Sequence, residues 1–192
     1  MTAPNVPKAQ TVSAGGFSTI LNGGPSFETY CVDLYQTISF GAPPYPEYTP
    51  PGTSHVFANS NAYTDLGRLY ATAGVINDAV HEAAFQIAVW EIAYETSGVF
   101  DLTSGAASFS GGTEASAGAL TLASAWLLGL ASSGPGIEVL ESRLHRDVIF
   151  APVPEPSTVV LMIAGLLGTT TVARRRALRD ANTSAISLYT IA

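Results

Sequence analysis

Between residues 78 and 94 the chain reads DAVHEAAFQIAVWEIAY, and its apolar positions recur at helical spacing. Val80, Ala83, Ala84, Ile87, Trp90 and Tyr94 form one stripe. Asn77 or Asp78 stands just before it as a candidate N-cap. Gln86 falls roughly 90° round from the stripe's centre at ~100° per residue, a boundary position from which it can reach a neighbouring element. A second helix is predicted over 113–132, with Leu120, Ala123, Leu127 and Leu130 on a stripe and Gly134-Pro135 as its stop. A shorter one over 63–72 puts Leu66, Leu69 and Tyr70 on one side.

Elsewhere the period drops to two. Asn22-Gly23-Gly24-Pro25 is a strong turn signal between a strand over 17–21 and an aromatic, β-branched stretch over 26–36. Alternation puts Tyr30, Val32 and Leu34 on one face and Thr29, Cys31 and Asp33 on the other. The thiol is therefore expected on the more polar face. Segments 137–140 and 146–150 read as final strands, while 41–52 and 98–112 read as loops. The expected fold is α+β: one ectodomain over 15–150 with antiparallel strands and two main helices.

After it the pattern changes again. Prolines 152, 154 and 156 make a stiff linker over 151–158. An uncharged apolar run follows over 159–173, and Arg174, Arg175 and Arg176 close it. As a helix the run is about 23 Å long, short of the ~30 Å hydrocarbon core, and snorkelling arginines make up part of the difference. It reads as a transmembrane helix. The arginines are its topology signal and should stay cytoplasmic, which places the ectodomain across the membrane. Residues 174–192 then form a basic cluster and a cytoplasmic tail.

Charge agrees with this division. Residues 1–156 carry four basic and fourteen acidic side chains, a net of −10, and residues 157–192 carry a net of +3. An acidic ectodomain argues against nucleic acid as a partner.

The linker, helix and arginines resemble the PEP-CTERM sorting signal of Gram-negative bacteria, with Pro154, Glu155 and Pro156 as the signature. The resemblance implies an exosortase partner, a membrane cysteine protease that cuts near the motif. It also implies a bacterial envelope protein with an inner-membrane intermediate that ends on the outer surface or in the extracellular matrix. The tail 177–192 departs from the usual short ending and reads as a cytoplasmic extension or a read-through end. Export needs a signal peptide, and MTAPNVPKAQ at the N-terminus has no apolar core. Residues 1–14 are thus a leader of uncertain status. The true start is expected upstream, or a signal has been removed.

Cys31 is the only cysteine, so no disulfide forms within the chain. Tyr30-Cys31-Val32-Asp33 followed by Phe85-Gln86-Ile87-Ala88-Val89-Trp90 resembles the thioester domain of bacterial surface proteins, over about residues 15 to 135. Those domains carry a Cys with an acid two positions later, then a Thr-Gln-x-Ala-x-Trp helix motif. Phe85 here replaces the Thr. The resemblance implies a bond from Cys31 Sγ to Gln86 Cδ, with Asp33 and Trp90 as support. An amide is a poor acyl donor, so the fold must hold thiol and carboxamide in near-attack geometry and assist departure of ammonia. Asp33 is a candidate proton shuttle, although its charge opposes thiolate formation. The product acylates an amine or hydroxyl on a surface or matrix target once, without turnover, so the chain is not expected to be an enzyme.

The plainer reading stays open: Cys31 a buried small hydrophobe, Gln86 a helix-flank residue, Trp90 ordinary core. It gives a non-covalent structural or matrix protein of the same fold with a free buried thiol. Nothing in the spacing pairs Cys31 with His55, His81 or His145 as a nucleophile couple. Asp78, His81 and Glu82 meet no known metal spacing. No metal or cofactor is expected.

Overall fold

The computed structural model describes residues 9–34, 57–142 and 146–152. All of these fall in the first of the chain's two units, Met1–Pro152; the second, Val153–Ala192, lies outside the described residues. The expected transmembrane helix and sorting motif fall in that second unit.

The predicted turn closes a hairpin. β1 (Phe17–Ile20) pairs antiparallel with β2 (Ser26–Cys31), and Phe17 lies opposite Thr29. Asn22 and Gly23 both take positive φ, 52° and 74°, as a tight turn matched to strand twist requires. The Gly24 N–H donates to the Leu21 carbonyl at 2.9 Å.

The chain then enters three helices before returning to the sheet. These are α1 (Ala62–Ala73), α2 (Ala79–Tyr94) and α3 (Glu114–Leu128). α1 is the shorter helix expected over 63–72, one residue longer at each end, and it buries Leu66 and Leu69 in the main core beside α2. The Asp78 carboxylate caps α2, accepting from the N–H groups of Val80 and His81 at 2.9 Å. Thr113 caps α3 through a reciprocal capping box with Ser116. α3 stops at Gly129, short of the expected 132, and the Gly129 N–H closes on the carbonyls of Ala125 and Trp126. Gly134-Pro135 serves a different purpose. A Cβ on Gly67 would run into the Pro135 carbonyl oxygen, and one on Gly134 into Gly67, so α1 and this loop cross with nothing but backbone between them.

β3 (Glu138–Leu140) and β4 (Val148–Phe150) complete an antiparallel sheet of order β1-β2-β4-β3. Cys31 lies opposite Val148, and Val148 opposite Leu140. Both faces of this sheet are covered. Tyr30, Val32, Val139 and Ile149 join the main core with all three helices. Cys31, Val148, Leu140 and Phe150 form a second cluster with Trp90 and Leu34. The expectation of a polar face for Cys31 is therefore corrected: the thiol side is apolar and fully buried. The single-stripe picture of α2 fails for the same reason. Every residue from Ala84 to Ala93 is buried, because this helix is packed on all sides. Val12 and Ala14, from the supposed leader, also pack against these clusters.

The Gly67 crossing gives a stability prediction. Gly67→Ala should cost about 1–3 kcal/mol, as overpacking against backbone does, through a lower denaturation midpoint at unchanged m-value. A wild-type midpoint in the variant would show that the loop at 134–135 moves aside freely.

Candidate functional site

The two residues singled out by the sequence meet. The Cys31 N–H donates to Gln86 Oε1 at 2.9 Å, and Gln86 Nε2 donates to the Cys31 carbonyl at 2.7 Å. Both residues are fully buried. The geometry follows from the sheet. The Val32 N–H points to β4, donating to the Asp147 carbonyl at 3.0 Å. In a strand the polar groups of successive residues alternate sides, so those of Cys31 point the other way, towards β1. β1 begins at Phe17, opposite Thr29, and contributes no residue opposite Cys31. The Gln86 carboxamide takes that empty place in the ladder and supplies both partners that a strand residue would have supplied.

α2 is thereby pinned to the end of β2. On one side of the contact the Phe85 ring packs on Tyr30 with centroids 4.5 Å apart, and on Tyr70 at 4.7 Å. Phe85 occupies the motif's Thr position, and a threonine would leave this aromatic space empty. On the other side, one helical turn beyond Gln86, Trp90 packs into the Cys31 cluster. Further along, the Tyr94 hydroxyl accepts from the Leu34 N–H at 3.3 Å, fixing the chain as it leaves β2.

The thiol's surroundings decide its chemistry. Burial pushes the Cys31 thiol up to about 11. The Arg146 guanidinium works against this through its charge and a side-chain hydrogen bond, while Asp33 adds a small push upward. Burial wins, so the group at neutral pH is a thiol and its proton must leave as the sulfur attacks. Sequence reasoning missed Arg146. Its signal was the register: with Cys31 opposite Val148, Asp33 falls opposite Arg146, and all four side chains share one face.

Asp33 is half-buried and in electrostatic contact with the thiol, as expected of a residue two positions along the strand direction. Trp90 is 1% exposed, and its indole N–H has no hydrogen-bond partner. His81 bonds Asp78 at 2.7 Å beside the helix cap. His55 and His145 lie outside the described residues, as do Pro154, Glu155, Pro156 and Arg174–Arg176. Among the described residues no three His, Cys, Asp or Glu side chains are grouped to hold a metal ion.

A second buried acid also escaped the sequence reading. Glu91 is fully buried on α2; its Oε1 accepts from the Asp101 N–H at 2.8 Å, and its Oε2 has no partner. Glu95, one turn on, accepts from the N–H groups of Ser97 and Ala106 at 2.7 and 3.1 Å. The two glutamates hold the 96–106 loop against the helix.

Comparison with known proteins gives one match. The PEP-CTERM protein-sorting motif matches residues 152–177. The chain carries this motif. It supports an exported, cell-envelope-associated protein processed by an exosortase. No curated protein and no solved structure matches the chain.

Glu91 sets a pH dependence. Burial, helped by the charges of Glu95 and Asp101, raises its carboxyl from 4.5 to about 7, against the Asp101 N–H, which lowers it. The folded state thus holds a proton that the unfolded chain loses above pH 4.5. Stability from this group is unaffected below that value, falls as pH rises towards 7, and is lower by about 3 kcal/mol beyond it. Glu91→Gln should flatten this part of the profile in denaturant unfolding between pH 4.5 and 8. A variant as pH-sensitive as wild type would assign the dependence to other groups.

Proposed function

We propose that residues 15–150 form the ectodomain of an envelope-sorted protein and that this domain carries an internal Cys31–Gln86 thioester for covalent attachment to a surface or matrix partner. The observation that carries this reading is the pair of buried hydrogen bonds between the Gln86 carboxamide and the Cys31 backbone. They hold the acyl carbon beside the residue that bears the nucleophile, one part of the near-attack geometry that an unreactive amide needs. The thiol is two bonds from the Cα that the carboxamide faces.

The bonds also assign roles. When Sγ attacks Cδ, negative charge develops on Oε1, and the Cys31 N–H already donates to that atom, as in an oxyanion hole. The proton released by sulfur goes to the departing nitrogen, with Arg146 stabilising thiolate character. As ammonia leaves, the bond from Nε2 to the Cys31 carbonyl is lost, while the bond to Oε1 remains. Attack of a partner amine or hydroxyl on Cδ then regenerates the thiol. Each molecule reacts once.

The same two hydrogen bonds favour a second reading, a non-covalent latch. An intact carboxamide satisfies both buried backbone groups of Cys31, and a structural glutamine needs no further reason to sit there. On that reading the domain is a structural or matrix protein with a free thiol.

Methylamine separates the two. The thioester reading predicts a methylamide on residue 86 in the wild-type protein and none in Cys31→Ser. An unmodified wild type under the same conditions leaves only the latch. Gln86→Ala is a poor control, because it orphans a buried N–H and a buried carbonyl at about 1–3 kcal/mol each. For sorting, the protein recovered from the cell surface should lack residues 159–173, and neutral replacements at Arg174–Arg176 should lower the amount exported. Surface protein that retains this segment would count against processing at Pro154–Pro156.

A further inference from the structure

The 96–106 loop leaves the end of α2 and is tied back to that helix by carboxylates. Glu91 accepts from the Asp101 N–H, and Glu95 accepts from the N–H groups of Ser97 and Ala106. Gly98 and Gly105, near the loop's two ends, take positive φ, 75° and 101°, a region in which glycine moves at little cost. A Cβ on Gly105 would run into Glu95 Oε2, so the loop lies close on that carboxylate. Of residues 96–106 only Leu102 is buried. A segment that buries so little detaches far more readily than the helix beneath it.

We propose that residues 96–106 are a strap held closed by the un-ionised Glu91 carboxyl, and that ionisation of this group releases the strap about Gly98 and Gly105. Glu91 is fully buried, and its Oε2 has no hydrogen-bond partner. A neutral carboxyl tolerates that position, whereas an anion there lacks both water and a counter-charge. The charged groups acting on Glu91 are Glu95 from its own helix and Asp101 from the strap, both acids, and no basic side chain stands among them. Hydrogen bonds from Ser97 and Ala106 hold the Glu95 carboxyl low, and those from Ser104 and Thr103 hold Asp101 low, so both are charged before Glu91 is. α2 is packed on all sides and cannot turn away. Lifting the strap instead brings water to Oε2 and takes Asp101 off Glu91. Release reaches further, because the Phe109 N–H donates to the Leu102 carbonyl at 2.7 Å and the Phe109 ring stacks on Trp90 with centroids 6.3 Å apart. Trp90 belongs to the Cys31 cluster, so an open strap loosens the cover of that cluster, whether or not Cys31 and Gln86 are covalently joined. Burial raises the Glu91 carboxyl to about 7 under the closed strap, and opening returns it to its ordinary 4.5. Closure is therefore at full strength below pH 4.5, weakens as pH rises to 7 and stays weak beyond it.

Amide hydrogen exchange on the full-length protein at pH 5 and pH 8 tests this, with rates divided by the intrinsic rate at each pH. Protection of the Asp101, Ala106 and Phe109 amides should fall at least about tenfold between the two, since the open form binds the Glu91 proton more weakly. That exchange should barely respond to low urea, as local opening exposes little surface, while the Ala123 and Trp126 amides of α3 stay better protected and respond to urea. Glu91→Gln keeps an acceptor for the Asp101 N–H and should hold the three amides equally protected at both pH values. Equal protection at pH 5 and pH 8 in wild type would overturn the proposal, and so would strap amides that exchange only with α3 and with its urea dependence. The wild-type comparison decides these two outcomes without any variant. A fall of the same size in Glu91→Gln would also overturn it.

Discussion

One side chain joins the helical layer to the sheet. The Gln86 carboxamide, fully buried, completes the hydrogen bonding of Cys31 where the neighbouring strand no longer runs. An amide side chain suits this place because it presents an acceptor oxygen and an N–H donor side by side, as a peptide group does. Without it the end of β2 would bury an unpaired N–H and carbonyl. With it, α2 is fixed in depth and rotation. That placement sends Phe85 into the main core, Trp90 into the Cys31 cluster and Glu91 towards the 96–106 loop.

The same constraint shapes the chemistry. A thiol enclosed by Trp90, Leu140, Val148 and Phe150 is held protonated by its surroundings, and Arg146 offsets only part of that effect. Such a group is protected from adventitious oxidation and is a slow nucleophile towards anything in solution. It is a competent nucleophile only towards an electrophile already in contact with it. On the covalent reading proposed above, burial restricts its attack to the Gln86 carboxamide, which is held on the Cys31 backbone. For any acceptor from solution the same enclosure is a barrier, since neither Cys31 nor Gln86 is exposed.

Much of the architecture was legible in the chain. The Asn22-Gly23 turn, the Asp78 cap and the existence of the three helices are local signals, and they survive into the structure. Cys31 and Gln86 also meet, through hydrogen bonds from the carboxamide to the Cys31 backbone that the two-part motif did not describe. What failed was long-range. Alternation assigned Cys31 to a polar face, since the residues beside it in sequence are Thr29 and Asp33. The face is apolar because β3 and β4, more than a hundred residues later, bring Leu140, Val148 and Phe150 to it. Gln86 read as a boundary residue because α2 was judged as a surface helix, whereas it is enclosed on all sides. Arg146 and Glu91 acquire meaning only from register and loop packing, which no window of sequence contains.

The central claim is that this contact is chemical as well as structural, and intact mass tests it without any partner. The full-length protein, purified without reductant and unfolded in acid, should be lighter than its sequence by one ammonia, with a Cys31 thiol that does not titrate until base or an amine is added. A protein of full sequence mass whose Cys31 titrates at once on unfolding would contradict the covalent account and leave Gln86 as the latch between helix and sheet.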